Sequence, residues 1–303
     1  MRHFCRFGAT PVLALSLAAA SACGGSSPLS PDPSTVPPTT VSGPPAVLVG
    51  AGDIGLCGSA ATAATAALLD RIDGTVYTTG DNAYPNGSEE NFRDCYDPHW
   101  GRHRGRTRPT PGNHEYMTAG GAPYFTYFGA SAGPPARGYY AYRAGSWLVL
   151  ALNSEIPAGA GSAQVQWLRG ELSRASGACT LVYWHRPLFS SGPHGPDPAM
   201  RDVWRVLHEY NADVVLTGHE HMYERFAPQD QDGRADAIRG IRQFIVGTGG
   251  AALYSPNGVA PNSEVVAPIH GVLKLTLSDG AYFWEFVPIP GATFRDSGSG
   301  ICH

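Results

Sequence analysis

Short apolar runs alternate with amphipathic or alanine-rich segments from Ala46 onward, and this alternation predicts strands and helices that interleave. Helices separate the strands in the first half of this region, whereas strands dominate towards the end. Strands are predicted over Ala46–Ala51, Thr75–Thr79, Tyr139–Tyr142, Trp147–Asn153, Thr180–Trp184, Val214–Thr217, Gln243–Gly247, Val272–Leu277 and Tyr282–Val287. Helices are predicted over Ser59–Ile72 with Ser59 as cap, Glu89–Tyr96, Ser162–Ala175, and after the cap Asp197 with Pro198 at the first position. The sequence therefore predicts an α/β fold, with a two-sheet β-sandwich core flanked by helices.

Residues 1–22 have the pattern of an export signal. Arg2 and Arg6 supply positive charge ahead of an apolar run that is too short to cross a bilayer. The segment Ala-Ser-Ala-Cys-Gly-Gly that contains Cys23 is similar to a lipobox, in which this cysteine is lipidated and becomes the new N-terminus. Ordinary cleavage near Ala22 is the alternative. The chain is therefore expected to be exported, as a cell-surface lipoprotein or as a periplasmic or secreted protein.

Residues 23–45 are rich in Ser, Pro, Thr and Gly and contain almost no large apolar side chain. Such a segment cannot bury enough surface to fold, so we predict a disordered linker. Residues 46–303 are then expected to form one folded domain.

The charge of the chain restricts the class of partner. The 303 residues carry a formal net charge of −4, which gives no argument for nucleic acid as a structural partner. A membrane partner is expected only through a lipid on Cys23. The sequence leaves the oligomeric state open.

Four cysteines lie in the predicted domain, an even number for an oxidising compartment. Two disulfides are expected, with three possible pairings. We favour Cys57 with Cys95 and Cys179 with Cys302, because Cys57 and Cys95 follow two loops expected to converge on one site. Zinc ligation is the alternative, although no Cys-x-x-Cys pair occurs.

Oxygen and imidazole side chains recur in five loops that we expect at strand ends, where open α/β sheets build their sites. A lone histidine is usually structural, but five such loops in one chain indicate a metal site. The residues are Asp53; Asp81 and Tyr84; Asn113 and His114; His185; and His219 and His221.

The ordered motifs resemble those of the purple acid phosphatases, a branch of the calcineurin-like metallophosphoesterases. The run His221-Met222-Tyr223-Glu224-Arg225 also resembles the plant members of that branch. The resemblance rests on Asp53-x-Gly55, Gly80-Asp81-x-x-Tyr84, Gly112-Asn113-His114-Glu115, Val182-x-x-His185 and Gly218-His219-x-His221.

The resemblance implies a metallophosphoesterase fold with two metal ions. Generic members usually carry a histidine ligand two residues after the first aspartate, where this chain has Gly55; Tyr84 supplies a replacement of the kind the purple branch uses. A tyrosinate suits Fe(III), which the resemblance assigns to Asp53, Asp81, Tyr84 and His221. It assigns a divalent ion (Zn, Mn or Fe) to Asp81, Asn113, His185 and His219, with Asp81 bridging.

The resemblance also implies catalytic roles, beginning with attack of a metal-bound hydroxide on phosphorus. His114 is expected to hydrogen-bond the phosphate or to protonate the leaving group. Glu115 would orient the His114 imidazole and raise its pKa; a plain surface carboxylate is the alternative. His194 lies in the loop that carries a phosphate-contacting histidine in plant members, with a solvent-facing loop histidine as the alternative.

These features predict an exported dinuclear-metal phosphatase that hydrolyses small phosphomonoesters. A phosphodiesterase acting on nucleotides or phospholipid head groups with the same metals is the first alternative. A non-catalytic surface binding lipoprotein is a remote one, since it would be expected to have lost at least one ligand position and none is lost.

Overall fold

The computed structural model describes residues 43–134 and 136–303. The predicted export signal, Cys23 and the predicted linker up to residue 42 lie outside the described residues. The described residues form thirteen strands: β1 (Ala46–Ala51), β2 (Thr75–Thr79), β3 (Thr107–Thr110), β4 (Tyr140–Ala144), β5 (Trp147–Ala151), β6 (Thr180–Tyr183), β7 (Val214–Thr217), β8 (Tyr223–Phe226), β9 (Arg242–Val246), β10 (Ser263–Ala267), β11 (Gly271–Ser278), β12 (Ala281–Pro288) and β13 (Asp296–Ile301). The α-helices among these residues are α1 (Ala60–Leu69), α2 (Glu89–Asn91), α3 (Ala122–Phe128), α4 (Ala163–Arg174) and α5 (Arg201–Glu209).

The strands form two mixed sheets. The six-stranded sheet has the order β13-β12-β11-β1-β2-β3, and the seven-stranded sheet has the order β10-β8-β9-β7-β6-β5-β4. In the first sheet β1, β2 and β3 are parallel neighbours. In the second, β5, β6, β7 and β9 are parallel neighbours. The predicted α/β fold with a two-sheet core is confirmed.

Three clusters of buried apolar side chains pack the two sheets against each other and the helices against the sheets. One combines side chains of both sheets, such as Leu48, Val149 and Leu275, and fills the space between them. Val49 turns outward to the cluster that contains α1, and Leu150 turns outward to the cluster that contains α4 and α5. The central strands are apolar at successive positions because both of their faces are covered, which is why they were recognisable in the sequence.

The strands that the sequence pattern missed are β3, β8, β10 and β13, and three of these four lie at sheet edges. An edge strand buries fewer side chains, so its apolar pattern is weak. In β13 every second residue is exposed and the others are half-buried. In β3, Pro109 is tolerated because an edge strand need not pair on both sides.

Two local predictions about helices need correction. Ser59 precedes α1, but its hydroxyl donates to the carbonyl of Gly250 at 2.7 Å and does not cap the helix. The segment predicted as one helix from Glu89 is α2 followed by a π-helical turn over Phe92–Tyr96. The prediction for Asp197 is confirmed, because its side chain accepts from the amide of Ala199 at the turn that leads into α5.

The two predicted disulfides are both present, Cys57–Cys95 and Cys179–Cys302. The second joins the residue before β6 to the residue after β13, so it links the two sheets covalently. None of the helices within residues 43–134 and 136–303 is both long enough and apolar enough to cross a bilayer.

Candidate metal centre

The five predicted loops meet at the carboxyl ends of parallel strands from both sheets. The loops after β1, β2 and β3 belong to one sheet, and the loops after β6 and β7 belong to the other. Backbone hydrogen bonds tie neighbouring loops together: the Asp53 amide donates to the Gly80 carbonyl at 3.0 Å, and the Gly218 amide donates to the His185 carbonyl at 2.9 Å. The site is therefore built where the two sheets face each other.

Three of the predicted ligands have left-handed backbone conformations, which are unfavourable for residues other than glycine. The φ values are 58° at Asp53, 49° at Asp81 and 69° at His219. Such strain persists only where the surrounding structure enforces it, and it concentrates at functional sites. Here all three strained residues contact other predicted ligands at the strand ends.

The first group of side chains surrounds the phenol of Tyr84. Its oxygen lies 2.9 Å from Asp53 Oδ1, 3.1 Å from Asp81 Oδ2 and 3.1 Å from His221 Nε2. His221 Nε2 also lies 3.2 Å from Asp53 Oδ1. The Tyr84 oxygen therefore links all four side chains predicted to hold the trivalent ion.

The second group surrounds His185 Nε2. This atom lies 3.3 Å from Asp81 Oδ2, 3.0 Å from Asn113 Oδ1 and 3.2 Å from His219 Nδ1. One oxygen, Asp81 Oδ2, contacts Tyr84 of the first group and His185 of the second. The second group also contains the four side chains predicted for the divalent ion, and Asp81 joins the two groups.

The imidazoles are oriented for coordination by bonds outside the groups. His185 Nδ1 lies 2.8 Å from the Thr79 carbonyl, and His221 Nδ1 lies 2.7 Å from the Ala252 carbonyl, so each Nδ1–H donates outward and Nε2 faces inward. Metal-binding histidines characteristically use their second nitrogen in this way. The carboxylate, phenol, amide and imidazole donors fit iron together with zinc, manganese or a second iron.

Charges in the site explain which groups hold protons in the absence of a cation. Burial works against charge on His185, but the adjacent Asp81 carboxylate outweighs it and raises the pKa of His185 to about 10. Burial and the Asp53 and Asp81 carboxylates raise the pKa of Tyr84 well above its usual range. Bound cations would displace both protons, so metal binding here is coupled to proton release.

Gly55 leaves no room for the histidine that generic relatives carry. A Cβ atom added to Gly55 would lie 2.6 Å from the carbonyl oxygen of Asn82, whose loop continues to Tyr84. The Gly55 amide donates to that same carbonyl at 2.9 Å, and the Tyr84 amide donates to the Gly55 carbonyl at 2.9 Å. The close approach of these two loops brings the Tyr84 phenol to Asp53.

His114 borders both groups. Its backbone amide donates to Asp81 Oδ1 at 2.9 Å, and its Nδ1 bonds the carbonyl of Pro85. Its Nε2 lies 3.7 Å from Asp81 Oδ2, and its side chain is 24% exposed. An accessible ring nitrogen beside the shared carboxylate is positioned to contact a ligand of the site.

Glu115 differs from both sequence interpretations. It is fully buried and therefore not a surface carboxylate. No hydrogen bond joins it to the His114 imidazole among the described residues; instead its carboxyl group accepts from the amides of Asn82, Ala83 and Gly112 at 2.8, 3.1 and 2.8 Å. Burial and the Asp81 carboxylate raise its pKa to about 8. Glu115 holds together the loops that carry Asp81 and Asn113, a role that depends on contacts distant in sequence.

His194 lies beside the second group, with its ring centre 4.5 Å from that of His219. The reason is Glu220, a buried residue that the sequence analysis did not single out. Glu220 Oε1 accepts from the amides of His194 and Gly195 at 2.9 and 3.0 Å, and Oε2 lies 3.3 Å from His194 Nδ1. A carboxylate between two predicted ligands in Gly218-His219-x-His221 was the available signal for this contact.

Tyr254 is a second neighbour that the sequence analysis missed. Its ring stacks on His221 with a centroid distance of 4.0 Å and an interplanar angle of 12°, and it lies 5.3 Å from the His194 ring. Its amide donates to the His221 carbonyl at 2.9 Å. No local motif marks Tyr254, because it lies in an irregular segment after β9.

Comparison with known proteins agrees with the resemblance that the sequence motifs indicated. The family model "Calcineurin-like phosphoesterase" matches residues 47–223. A Mycobacterium tuberculosis H37Rv protein described as uncharacterized is 30% identical over 267 residues, covering 72% of this chain and 50% of that protein. Purple acid phosphatase 15 of Arabidopsis thaliana is 25% identical, covering 63% of this chain and 43% of the plant protein.

Among solved structures, the purple acid phosphatase PPD1 from yellow lupin seeds aligns with a TM-score of 0.70 at 20% identity. The alignment covers 84% of this chain and 53% of the lupin chain. At this identity the likeness concerns the fold. The chain spans about half the length of the relatives it matches.

Proposed function

The chain belongs to the calcineurin-like phosphoesterase family, and we propose that it is a dinuclear-metal phosphatase of the purple acid phosphatase type that hydrolyses small phosphomonoesters. The observation that carries this proposal is the pair of side-chain groups that share Asp81 Oδ2. Two adjacent groups of hard oxygen and imidazole donors joined by one carboxylate match the requirements of a two-metal hydrolase.

In this proposal Asp53, Asp81, Tyr84 and His221 hold Fe(III), and Asp81, Asn113, His185 and His219 hold Zn, Mn or Fe(II). The anionic oxygens of the first group favour the trivalent ion, whereas the neutral amide and two imidazoles of the second suit a divalent one. Such ions, when bound, polarise phosphoryl oxygens and lower the pKa of water.

The protein's own groups orient the substrate and handle the proton. His114 is held through Nδ1 by the Pro85 carbonyl, which leaves Nε2 free to carry a proton to the departing alkoxide or to hydrogen-bond the phosphate. His194, fixed by Glu220 and 45% exposed at its side chain, is the second candidate contact for the phosphate. Glu115 acts through the loops it joins and not as an acid or base.

The test is metal analysis with a visible absorption spectrum, followed by assays on matched monoester and diester substrates. We expect two metal ions per chain, one of them iron, a tyrosinate-to-iron absorption band that Tyr84→Phe abolishes, and faster hydrolysis of the monoester. Two metals without iron or colour would remove the ferric assignment, and a preference for the diester would favour a phosphodiesterase. A protein that binds no metal would contradict the catalytic proposal and favour a binding protein.

We also propose that the protein is exported, either as a surface lipoprotein with its lipid on Cys23 or as a periplasmic or secreted protein. Mass spectrometry of the N-terminal peptide from the native host distinguishes the routes. A diacylated Cys23 indicates a surface lipoprotein, and a free terminus near residue 23 indicates a periplasmic or secreted protein. An intact Met1 on the mature protein would rule out both.

A further inference from the structure

Arg186 follows His185 directly and has a fixed orientation. Its Nε donates to both carboxylate oxygens of Glu155, at 2.9 and 3.1 Å, and its backbone amide donates to Ser154 Oγ at 3.2 Å. The Glu155 side chain is only 8% exposed, while that of Arg186 is 29% exposed. Glu155 therefore occupies the Nε edge of the guanidinium, while Nη1 lies beside the candidate metal centre.

Those terminal nitrogens lack an acidic partner of their own. Nη1 lies 3.5 Å from His219 Nε2, and within the described part of the chain no carboxylate or carbonyl oxygen accepts from Nη1 or Nη2. An arginine fork presents parallel donors that match a carboxylate or phosphate. Its free edge here opens beside a metal-binding candidate.

His219 adds a second donor at the same place. Its Nδ1 faces His185 Nε2 at 3.2 Å, inside the second group, so His219 would hold a cation there through the lone pair of Nδ1. The single proton of a neutral imidazole then resides on Nε2. His219 Nε2–H and Arg186 Nη1–H are then two donors whose nitrogens lie 3.5 Å apart. Neither can accept from the other, so one acceptor from outside the protein can bind both.

The surroundings favour an anion in that position. The neighbouring acids are already engaged: Glu155 accepts from Arg186 Nε, and Glu220 accepts from the amides of His194 and Gly195. The His194 ring lies 4.5 Å from that of His219, so a partly exposed imidazole also borders the space. Donors thus dominate this side of the site.

We propose that Arg186 and His219 Nε2–H bind a second anionic group of the substrate, carried by its leaving group. Nε2 lies on the far side of the ring from Nδ1, so the contact falls outside the group that would hold the reacting phosphate. The enzyme then prefers phosphomonoesters whose leaving group carries a carboxylate or another phosphate. This inference rests on the proposed function, because it assumes a phosphate ester in the adjacent site.

Binding of two inert probes to the metal-loaded protein tests this directly. Phosphonoacetate carries a second charge, while its amide, carbamoylmethylphosphonate, has nearly the same size without it. Arg186→Gln is expected to weaken phosphonoacetate about tenfold or more by calorimetry, and the amide by less than about twofold. Arg186→Lys, which keeps the charge but loses the fork, should give an intermediate loss. Arg169→Gln, at an exposed pair with Glu209, is the control and should change neither affinity.

Equal weakening of both probes in Arg186→Gln, or weakening of neither, would overturn the second-anion site. Turnover separates this inference from the proposed function. In wild-type protein, 4-carboxyphenyl phosphate and phenyl phosphate should both be hydrolysed, and Arg186→Gln should reduce kcat/KM about tenfold more for the first. If wild type hydrolyses neither ester, the proposed function fails, while the two probe affinities still report on Arg186.

Discussion

Asp81→Asn is expected to lower kcat/KM for a phosphomonoester by about a thousandfold or more and to reduce bound metal from two ions per chain to at most one. Asp81 Oδ2 contacts Tyr84 of one group and His185 of the other, so one substitution removes negative charge from both. An amide keeps nearly the same shape and can still accept the His114 amide through its oxygen, which makes charge the main change. Metal analysis and steady-state kinetics on the same preparation measure both effects.

The matched control is Asp94→Asn, which removes a carboxylate that pairs with Arg93 at the exposed surface and should leave metal content and activity unchanged. Near-UV circular dichroism establishes that both variants are folded. A folded Asp81→Asn protein that keeps two metals and more than a tenth of wild-type activity would show that Asp81 does not join two metal sites.

His114→Gln is expected to reduce kcat for an alkyl phosphate about a hundredfold to ten-thousandfold while both metals stay bound. The Pro85 carbonyl orients the His114 ring, and His114 Nε2 lies 3.7 Å from Asp81 Oδ2, but His114 belongs to neither ligand group. If its task is to protonate the leaving alkoxide, 4-nitrophenyl phosphate should lose far less activity, because nitrophenolate departs without a proton. The measurement is kcat and KM for the two substrates in wild type and variant.

A different pattern would assign His114 to phosphate binding. In that case both substrates lose activity by the same factor, and weaker binding of inorganic phosphate accompanies the loss. His208→Gln is the control: this histidine pairs with Asp236 and belongs to neither ligand group, so both rates should stay at the wild-type level. Loss of metal from folded His114→Gln would contradict either assignment and make His114 part of the metal-binding set.

The sequence was informative wherever the controlling interactions are local or strongly patterned. Apolar runs covered on both faces marked the central strands, and the runs at β1, β2, β6 and β7 were each followed within a few residues by a side chain that enters the site. The sequence also showed that Gly55 stands where generic relatives carry a histidine ligand and that Tyr84 supplies a replacement. Both residues could be identified because they lie in short motifs. The cysteine pairing was also confirmed, with three alternatives reduced to one by the expected convergence of two loops.

The edge strands show where local pattern fails. β13 reads Asp-Ser-Gly-Ser-Gly-Ile and buries little, yet it pairs along β12 through six residue positions. Backbone hydrogen bonds to a neighbour stabilise such a strand, and a backbone bond leaves no mark on the side-chain sequence. Pro109 is compatible with β3 because this edge strand pairs on one side only, so a missing N–H donor can face away from β2.

The sequence by itself determined the family resemblance, through its ordered motifs. It also determined the two-sheet fold and the set of residues that meet in the site, because apolar pattern and ligand type are local properties of the chain. Only the tertiary structure decided what surrounds them. Glu115 binds loop amides and not His114, Glu220 fixes His194, and Tyr254 covers His221. Arg186 likewise turns its free edge to His219, 33 residues away along the chain. Each of these contacts joins residues that the fold alone brings together, and the geometry of a long-range contact cannot be read from the order of residues along one chain.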